Sequence, residues 1–308
     1  MGVGLGSRGG TICLKPGENK FMKRTKPPTP AANDPFFKGW AKPGPSAPGA
    51  VKEIEIAEGE TLDAISGHFR LFQLRAGHRF STDDILTAWY GTSWCPTAQT
   101  ALDLGSGLGS VGMIAAWRLP GARFVTIEAQ EESVRLARKS ATYNGLDGRY
   151  EIRQGDFRDA TLLGTGERFD LILGSPPYFP IGTGIEGDHP QKIACRFELR
   201  GDIADYCATA AKHLAMGGFF ACVFPTEQLA RVETAARIAE LSMVRRRPVA
   251  LREGDAPLLS LFGMMRAEHL PESFRTQTWV EPELIIRRKD GLVHPEYAAV
   301  KLAIGFPP

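Results

Sequence analysis

Ser175-Pro176-Pro177-Tyr178 places two oxygen acceptors and an aromatic ring on four residues with little backbone freedom. Each proline fixes its own φ, and neither has an N–H to give to a sheet. A strand arriving through Phe169, Leu171 and Leu173 must therefore stop at Ser175. The Ser175 hydroxyl and the Pro176 carbonyl can both accept from an amino group, and the Tyr178 ring offers a flat apolar face. Such a set suits a planar amine, whose N–H groups need acceptors and whose ring needs a surface to lie on. Alone, the tetrad fits a rigid loop whose tyrosine caps the core just as well. Segments upstream shift that balance.

Ala101-Leu102-Asp103-Leu104 reads as a short apolar strand, followed by Gly105-Ser106-Gly107-Leu108-Gly109 and then by an apolar helix through Met113, Ile114, Ala116 and Trp117. Glycines there let the backbone approach a ligand, with a helix N-terminus behind them. Gly107, Gly109 and Gly112 fit the dinucleotide pattern G-x-G-x-x-G, and Glu128 follows at about the 20-residue spacing of that pattern, so a dehydrogenase is one reading. Asp103 argues against it. A carboxylate two residues before the first glycine would face a pyrophosphate at a cost, whereas an ammonium group there would be stabilised. Acid-x-Gly-x-Gly-x-Gly thus suits a zwitterionic amino-acid tail, and S-adenosylmethionine carries one.

These residues need a scaffold. Arg123 to Ile127 reads as a second strand ending at Glu128, placed to accept from both hydroxyls of a ribose. Glu131 to Tyr143 reads as a helix, with Val134, Leu136, Ala137, Ala141 and Tyr143 on one side and Asn144-Gly145 as its stop. Tyr150 to Arg153 is a third strand, closed by Gly155-Asp156-Phe157, where Asp156 can accept from an adenine amino group and Phe157 supplies backbone or ring contact. Strands alternating with helices predict a parallel sheet with ligands at its carboxyl edge. Asp103, Glu128, Asp156 and Ser175 fall at or just after the ends of four successive strands.

Around this centre, alternation predicts strands near Ile54 and Ile56 and near Phe72 and Leu74. Gly77-His78-Arg79-Phe80-Ser81-Thr82-Asp83-Asp84 follows, and Ser81 or Thr82 can cap a helix carrying Ile85, Leu86, Trp89 and Tyr90. Residues 182 to 195 read as a mobile loop beside the proline motif, a natural lid, with His189 a loop residue rather than a base. Ile203 to Leu214 and Glu227 to Leu241 read as helices, and Phe219 to Phe224, Met243 to Leu251 and Leu258 to Met265 as strands. Arg245-Arg246-Arg247, Arg252 and Arg287-Arg288-Lys289 could form a phosphate track.

A net charge of +2 over 308 residues hides an asymmetry. Residues 1 to 50 carry eight Lys/Arg against Glu18 and Asp34, with eight prolines and nine glycines, which leaves the remainder mildly acidic. That composition predicts a flexible basic arm over 1–50 ahead of a catalytic domain over 51–308, and the arm could add sequence-independent attraction to a phosphate backbone. Five scattered cysteines, without a CxxC pair, suggest neither disulfides nor a zinc site, and no apolar run approaches a membrane span. Reduced thiols point to the cytoplasm, with organellar targeting by the arm left open.

With these motifs in view, the chain resembles a class I S-adenosylmethionine-dependent methyltransferase. The Asp103 to Gly109 loop is similar to the cofactor motif of that class, and Ser175 to Tyr178 to the [Asn/Asp/Ser]-Pro-Pro-[Tyr/Phe] motif of enzymes that methylate planar nitrogens. Gly77 to Asp83, Arg196-Phe197-Glu198, Leu214 to Pro225 and Gly291 to Tyr297 are similar to the bacterial adenine-specific tRNA methyltransferases acting beside the anticodon of a valine tRNA. The resemblance runs from about residue 70 to 304. It implies an α/β Rossmann-like fold with a mostly parallel seven-stranded sheet, one antiparallel strand and helices on both faces. It implies S-adenosylmethionine held by Thr82, Asp103, Gly105, Ser106, Gly107, Gly109, Glu128, Asp156 and Phe157. Catalysis then falls to Ser175, Pro176, Pro177 and Tyr178, with substrate contacts from Arg79, Phe179 and Arg196. The partner is an RNA substrate, tRNA, with no membrane and no metal, and the chain a monomer or homodimer. Other RNA or DNA base amines, a protein glutamine and a non-catalytic cofactor-binding scaffold are the alternatives. That tRNA family usually has Asn where Ser175 stands; a hydroxyl is shorter and can donate as well as accept.

Overall fold

Residues 100–174 fold as alternating strands and helices because each apolar strand is followed by a glycine-rich or capped turn and a one-sided helix. The computed structural model describes residues 34–37, 39–50, 54–180, 182 and 189–307. The first part of the predicted basic arm, residues 1–33, lies outside them. Within 34–50, which composition assigns to the arm, β1 (Phe36–Phe37) and β2 (Trp40–Ala41) pair antiparallel and Ala47 is buried.

An antiparallel hairpin follows, β3 (Glu60–Ser66) and β4 (Phe69–Leu74). The alternation near Ile54 and Ile56 therefore misplaces the first strand. The real one opens on a buried Glu60, paired with Arg135 at 2.8 Å and Lys139 at 2.6 Å, a burial that polarity alone does not suggest. Helix α1 (Thr82–Trp94) starts at Ser81, whose N–H is taken by Asp84 Oδ2 at 2.8 Å.

The central layer then builds in order: β5 (Thr100–Leu104), α2 (Ser110–Arg118), β6 (Arg123–Glu128), α3 (Glu131–Tyr143), β7 (Tyr150–Gln154) and β8 (Phe169–Gly174). After it come α4 (Pro190–Arg196), α5 (Ile203–His213), β9 (Leu214–Pro225), α6 (Leu229–Ile238), β10 (Leu241–Arg252) and β11 (Leu259–Arg266). Two short strands, β12 (Trp279–Val280) and β13 (Leu284–Arg287), and helix α7 (Pro295–Ala303) complete the chain.

The strands order as β7-β6-β5-β8-β9-β11-β10, with β12 and β13 both pairing parallel on β10, so the sheet has nine strands rather than seven. Strand β11 alone runs antiparallel to its neighbours in this sheet, β9 and β10. The fold is thus a Rossmann-like α/β layer with helices on both faces. Apolar side chains on the two faces form two cores, one under α1, α2 and α3 and one under α5 and α6. Burial on both sides makes β5 and β8 near-continuous apolar runs.

Of the predicted lid over 182–195, residues 183–188 lie outside the described ones, and the remainder is mostly helix. Pro190 starts α4 and the His189 ring accepts from the Gln191 N–H at 3.2 Å, two helix-start signals that the loop reading overlooked. Among the described residues no helix is long and apolar enough to cross a membrane.

Candidate active site

The carboxyl ends of β5 to β8, the first turn of α1 and helix α4 enclose a cavity of about 1090 Å3. Its floor is acidic. Asp103, in β5, is 1% exposed and accepts from Gly112 N–H at 2.9 Å. Burial pushes its carboxyl well above the usual range, and Asp84 and Glu128 push the same way. Asp84, equally enclosed by α1 and the glycine loop, is raised by burial to about 7. Glu128 accepts from Gly107 N–H at 2.8 Å and Gln130 N–H at 2.7 Å, and burial raises it too. Among the described residues no Lys or Arg pairs with any of these three carboxylates, although the chain pairs most of its other buried acids. A site of this kind stabilises a cationic ligand.

The mouth has the opposite sign. Arg75, Lys192, Arg196 and Arg200 border the cavity and have no ion pair or side-chain hydrogen bond among the described residues. Burial lowers the His78 pKa, and Arg196 and Lys192 lower it further, which puts these cations in mutual range. Arg79 also borders the cavity, but its guanidinium is held by Asp63 at 2.8 Å and Thr61 at 3.0 Å on β3.

Gly105, Ser106 and Gly107 line the cavity, as do Glu128, Asp156, Phe157, Phe179 and the whole Ser175 to Tyr178 tetrad. A Cβ on Gly105, at φ +60°, would overlap the Tyr206 hydroxyl, so glycine there makes room for a tyrosine delivered by α5. Ser106 Oγ is buried and has no hydrogen-bond partner among the described residues. Asp156 is half-buried, and Arg158 binds its carboxylate at 2.6 and 2.9 Å, which holds its pKa below the usual value. The Phe157 ring packs edge-on against Tyr206 at 4.6 Å.

Three of the expected site residues have further partners in the fold. Thr82 is absent from the cavity wall because its side chain engages Tyr297. Gly109 caps α2 from below, at φ +82°, with Met113, Ala137 and Tyr150 around it rather than the cavity. Tyr178 borders the cavity, while its hydroxyl donates to Asp83 Oδ2 at 2.6 Å and its ring stands at 90° to Phe224. Phe179, 41% exposed and tilted against Phe197, is the more open ring.

Motif spacing missed Asp83, Asp84, Arg200 and Tyr206 as cavity residues. Ser81 or Thr82 was legible as a helix cap, but a cap does not reveal that Asp84, three residues on from Ser81, faces a ligand space. Tyr206 carries no sequence signal at all; the packing of α5 brings it in. Among the described residues, no group of three or more His, Cys, Asp or Glu is arranged to hold a metal ion.

The unpartnered Ser106 hydroxyl, the uncompensated acids and the glycine cradle suit a bulky ligand with a cationic end. The fold is the Rossmann-like layer typical of class I S-adenosylmethionine-dependent methyltransferases, and a family model described as a methyltransferase domain matches residues 97–213. Within that class the chain is related to the tRNA1(Val) (adenine(37)-N6)-methyltransferases. The Porphyromonas gingivalis protein of that name is 30% identical over 165 residues, 52% of this chain and 64% of the relative. Its Citrobacter koseri counterpart is 29% identical over 235 residues, 74% of this chain and 89% of the relative. A 4-amino-L-phenylalanine/4-methylamino-L-phenylalanine methyltransferase of Streptomyces pristinaespiralis is 36% identical over 149 residues, 46% of this chain and 49% of the relative. The chain thus spans less than two thirds of the Porphyromonas relative and about half of the Streptomyces one. The fold also matches the crystal structure of a predicted O-methyltransferase from Agrobacterium tumefaciens, with a TM-score of 0.54 and 17% identity over 73% of this chain and 98% of that one.

Proposed function

We propose that this protein methylates an exocyclic amino nitrogen of a nucleobase, adenine in a tRNA near its anticodon, with S-adenosylmethionine as donor. The observation that carries this reading is the polarity of the cavity that joins the glycine loop to the proline motif. Among the described residues, the buried carboxylates of its floor have no Lys or Arg within ion-pair distance, with Arg200 acting on Glu128 only from farther off, and the cations at its mouth have no ion pair. A cationic donor and a phosphate-bearing acceptor are the two ligands such a field favours together.

When bound, S-adenosylmethionine supplies an electrophilic methyl carbon. Asp103, Gly105, Ser106, Gly107 and Glu128 would hold it, Asp103 facing its ammonium group and Glu128 its ribose. Asp156 and Phe157 would border its adenine. The amino nitrogen of the acceptor is a weak nucleophile because its lone pair is delocalised into the ring. The Ser175 hydroxyl and Pro176 carbonyl, accepting from its two N–H groups, would turn that lone pair out of the ring plane and hold it in line, by positioning and preorganised electrostatics. Pro177 keeps the turn rigid, and Tyr178 and Phe179 enclose the ring. Arg196, with Arg200, would bind flanking phosphates, while Arg79 braces the mouth through β3. The proton leaves to water after transfer.

The test is transfer of a labelled methyl group to total tRNA, with nucleosides then resolved by mass spectrometry. Label in N6-methyladenosine, lost in Ser175→Ala and Tyr178→Ala, supports the reading; label in protein or in no fraction rejects it. A second reading comes from the Streptomyces relative, whose name specifies an amine on a small aromatic amino acid. Its carboxylate would meet the same unpaired cations, and 4-amino-L-phenylalanine is therefore the competing acceptor in the same assay.

A further inference from the structure

The Ser175 to Tyr178 turn is tied down from two sides by residues that the proposed reaction does not itself use. On one side Gln228 Nε2 donates to the Tyr178 carbonyl at 3.0 Å, and Arg231 links Gln228 to Glu198 through two bonds of 2.6 Å. Phe179 also exchanges backbone hydrogen bonds with Arg196 and Glu198, at 3.1 and 3.0 Å. With two prolines ahead of it, the backbone at Tyr178 has little freedom left. What remains is the direction of the ring.

The other side sets that direction. Tyr178 Oη donates to Asp83 Oδ2 at 2.6 Å, across 95 residues of chain. The bond is short and charge-assisted, the kind that fixes geometry as well as adding stability. Phe224 meets the ring edge-on at 5.8 Å and Ser175 also engages the hydroxyl, so the Asp83 bond fixes where the ring axis points. Asp83 is itself immobile, in the first turn of α1 beside the Ser81–Asp84 capping pair. A tyrosine that only capped the core would need its ring and a water; here the hydroxyl is captured by a carboxylate that borders the cavity. Burial raises the pKa of both groups, which keeps the phenol protonated and donating.

We propose that Asp83 is a positioning residue for methyl transfer: its carboxylate aims the Tyr178 ring that encloses the acceptor amine. The inference rests on the reading that the acceptor lies at the Ser-Pro-Pro turn. Asp83→Ala and Tyr178→Phe should each lower kcat about 10–100-fold, the scale of an ångström-level misplacement, with the donor Kd within about twofold of wild type. The double variant should be no slower than the slower single one, because both remove the same bond. Asp83→Asn keeps an acceptor oxygen and should recover kcat to within about fivefold. Effects that multiply, or a donor Kd that rises in step with the fall in kcat, would overturn the proposal. A second measurement needs no acceptor: 3-fluorotyrosine at position 178 should give one sharp 19F line in the wild-type protein, a broad or split line in Asp83→Ala, and one line again in Asp83→Asn. An unchanged line in Asp83→Ala overturns the proposal even if no RNA is methylated, whereas ordered 19F behaviour without methylated RNA rejects only the choice of substrate.

Discussion

Asp84→Asn should make the protein more stable and a poorer donor binder, and both effects follow from one buried charge. The carboxyl is raised from 3.8 to about 7, mainly by burial, and a shift of that size corresponds to about 4 kcal/mol between protonation states. Between those pH values the folded chain keeps a proton that the unfolded chain releases, so stability falls as pH rises through the window and stays low above it. Asparagine carries no charge, and its oxygen can still accept from Ser81 N–H. Part of the gain is lost because the amide N–H2 must replace an acceptor, which leaves a net gain of about 1–3 kcal/mol at pH 8 and none at pH 4. For a domain of this size that raises Tm by about 2–5 °C. Removing one wall charge from a site built for a cation should weaken donor binding about tenfold, or about 1.4 kcal/mol. Thermal melts at pH 4, 6 and 8, with calorimetric titration of S-adenosylmethionine, read both effects. A variant that melts below wild type at pH 8, or binds the donor equally well, would refute the reasoning that the cavity floor holds uncompensated charge.

Gly105→Ala should cost about 2–3 kcal/mol in denaturant unfolding, since a methyl at φ +60° is strained and collides with the Tyr206 hydroxyl; Tyr206→Phe in the same chain should restore part of it. Glu128→Ala removes the acceptor for Gly107 and Gln130 N–H, loosening the cradle, and calorimetry should show donor binding about 10–100-fold weaker. Arg196→Ala with Arg200→Ala should raise KM for RNA with kcat little changed, and flatten the dependence of log KM on log salt by about 0.7 per lost phosphate contact.

Much of the layer around the cavity was legible because burial on both sides leaves long apolar runs and because glycines and prolines punctuate them. Helix Glu131–Tyr143 matches its predicted limits, since its apolar stripe and its Asn144-Gly145 stop are both local signals. The four strand-end residues meet at one cavity for the same reason: parallel topology sends every carboxyl end to one edge. What was hidden depends on distant contacts. Glu60 could not be read as buried without Arg135 and Lys139, and the Tyr178 hydroxyl could not be read as engaged without Asp83. The two strands β12 and β13 were missed because they are short and gain their order only from pairing with β10. Ser81 was legible as a helix cap, but that Asp84 accepts from its N–H and also helps form the floor is a property of the assembled site.

The central claim is that an acceptor amine is held at the Ser-Pro-Pro turn while the donor lies on the acidic floor of the same cavity. A crystal structure with a non-reactive donor analogue and a short adenine-containing RNA tests it most directly. The account predicts one adenine swung out of its stack, with its amino nitrogen about 3 Å from both Ser175 Oγ and the Pro176 carbonyl oxygen. An analogue bound away from Asp103 and Glu128, or an adenine amine that leaves those two oxygens unengaged, would contradict it.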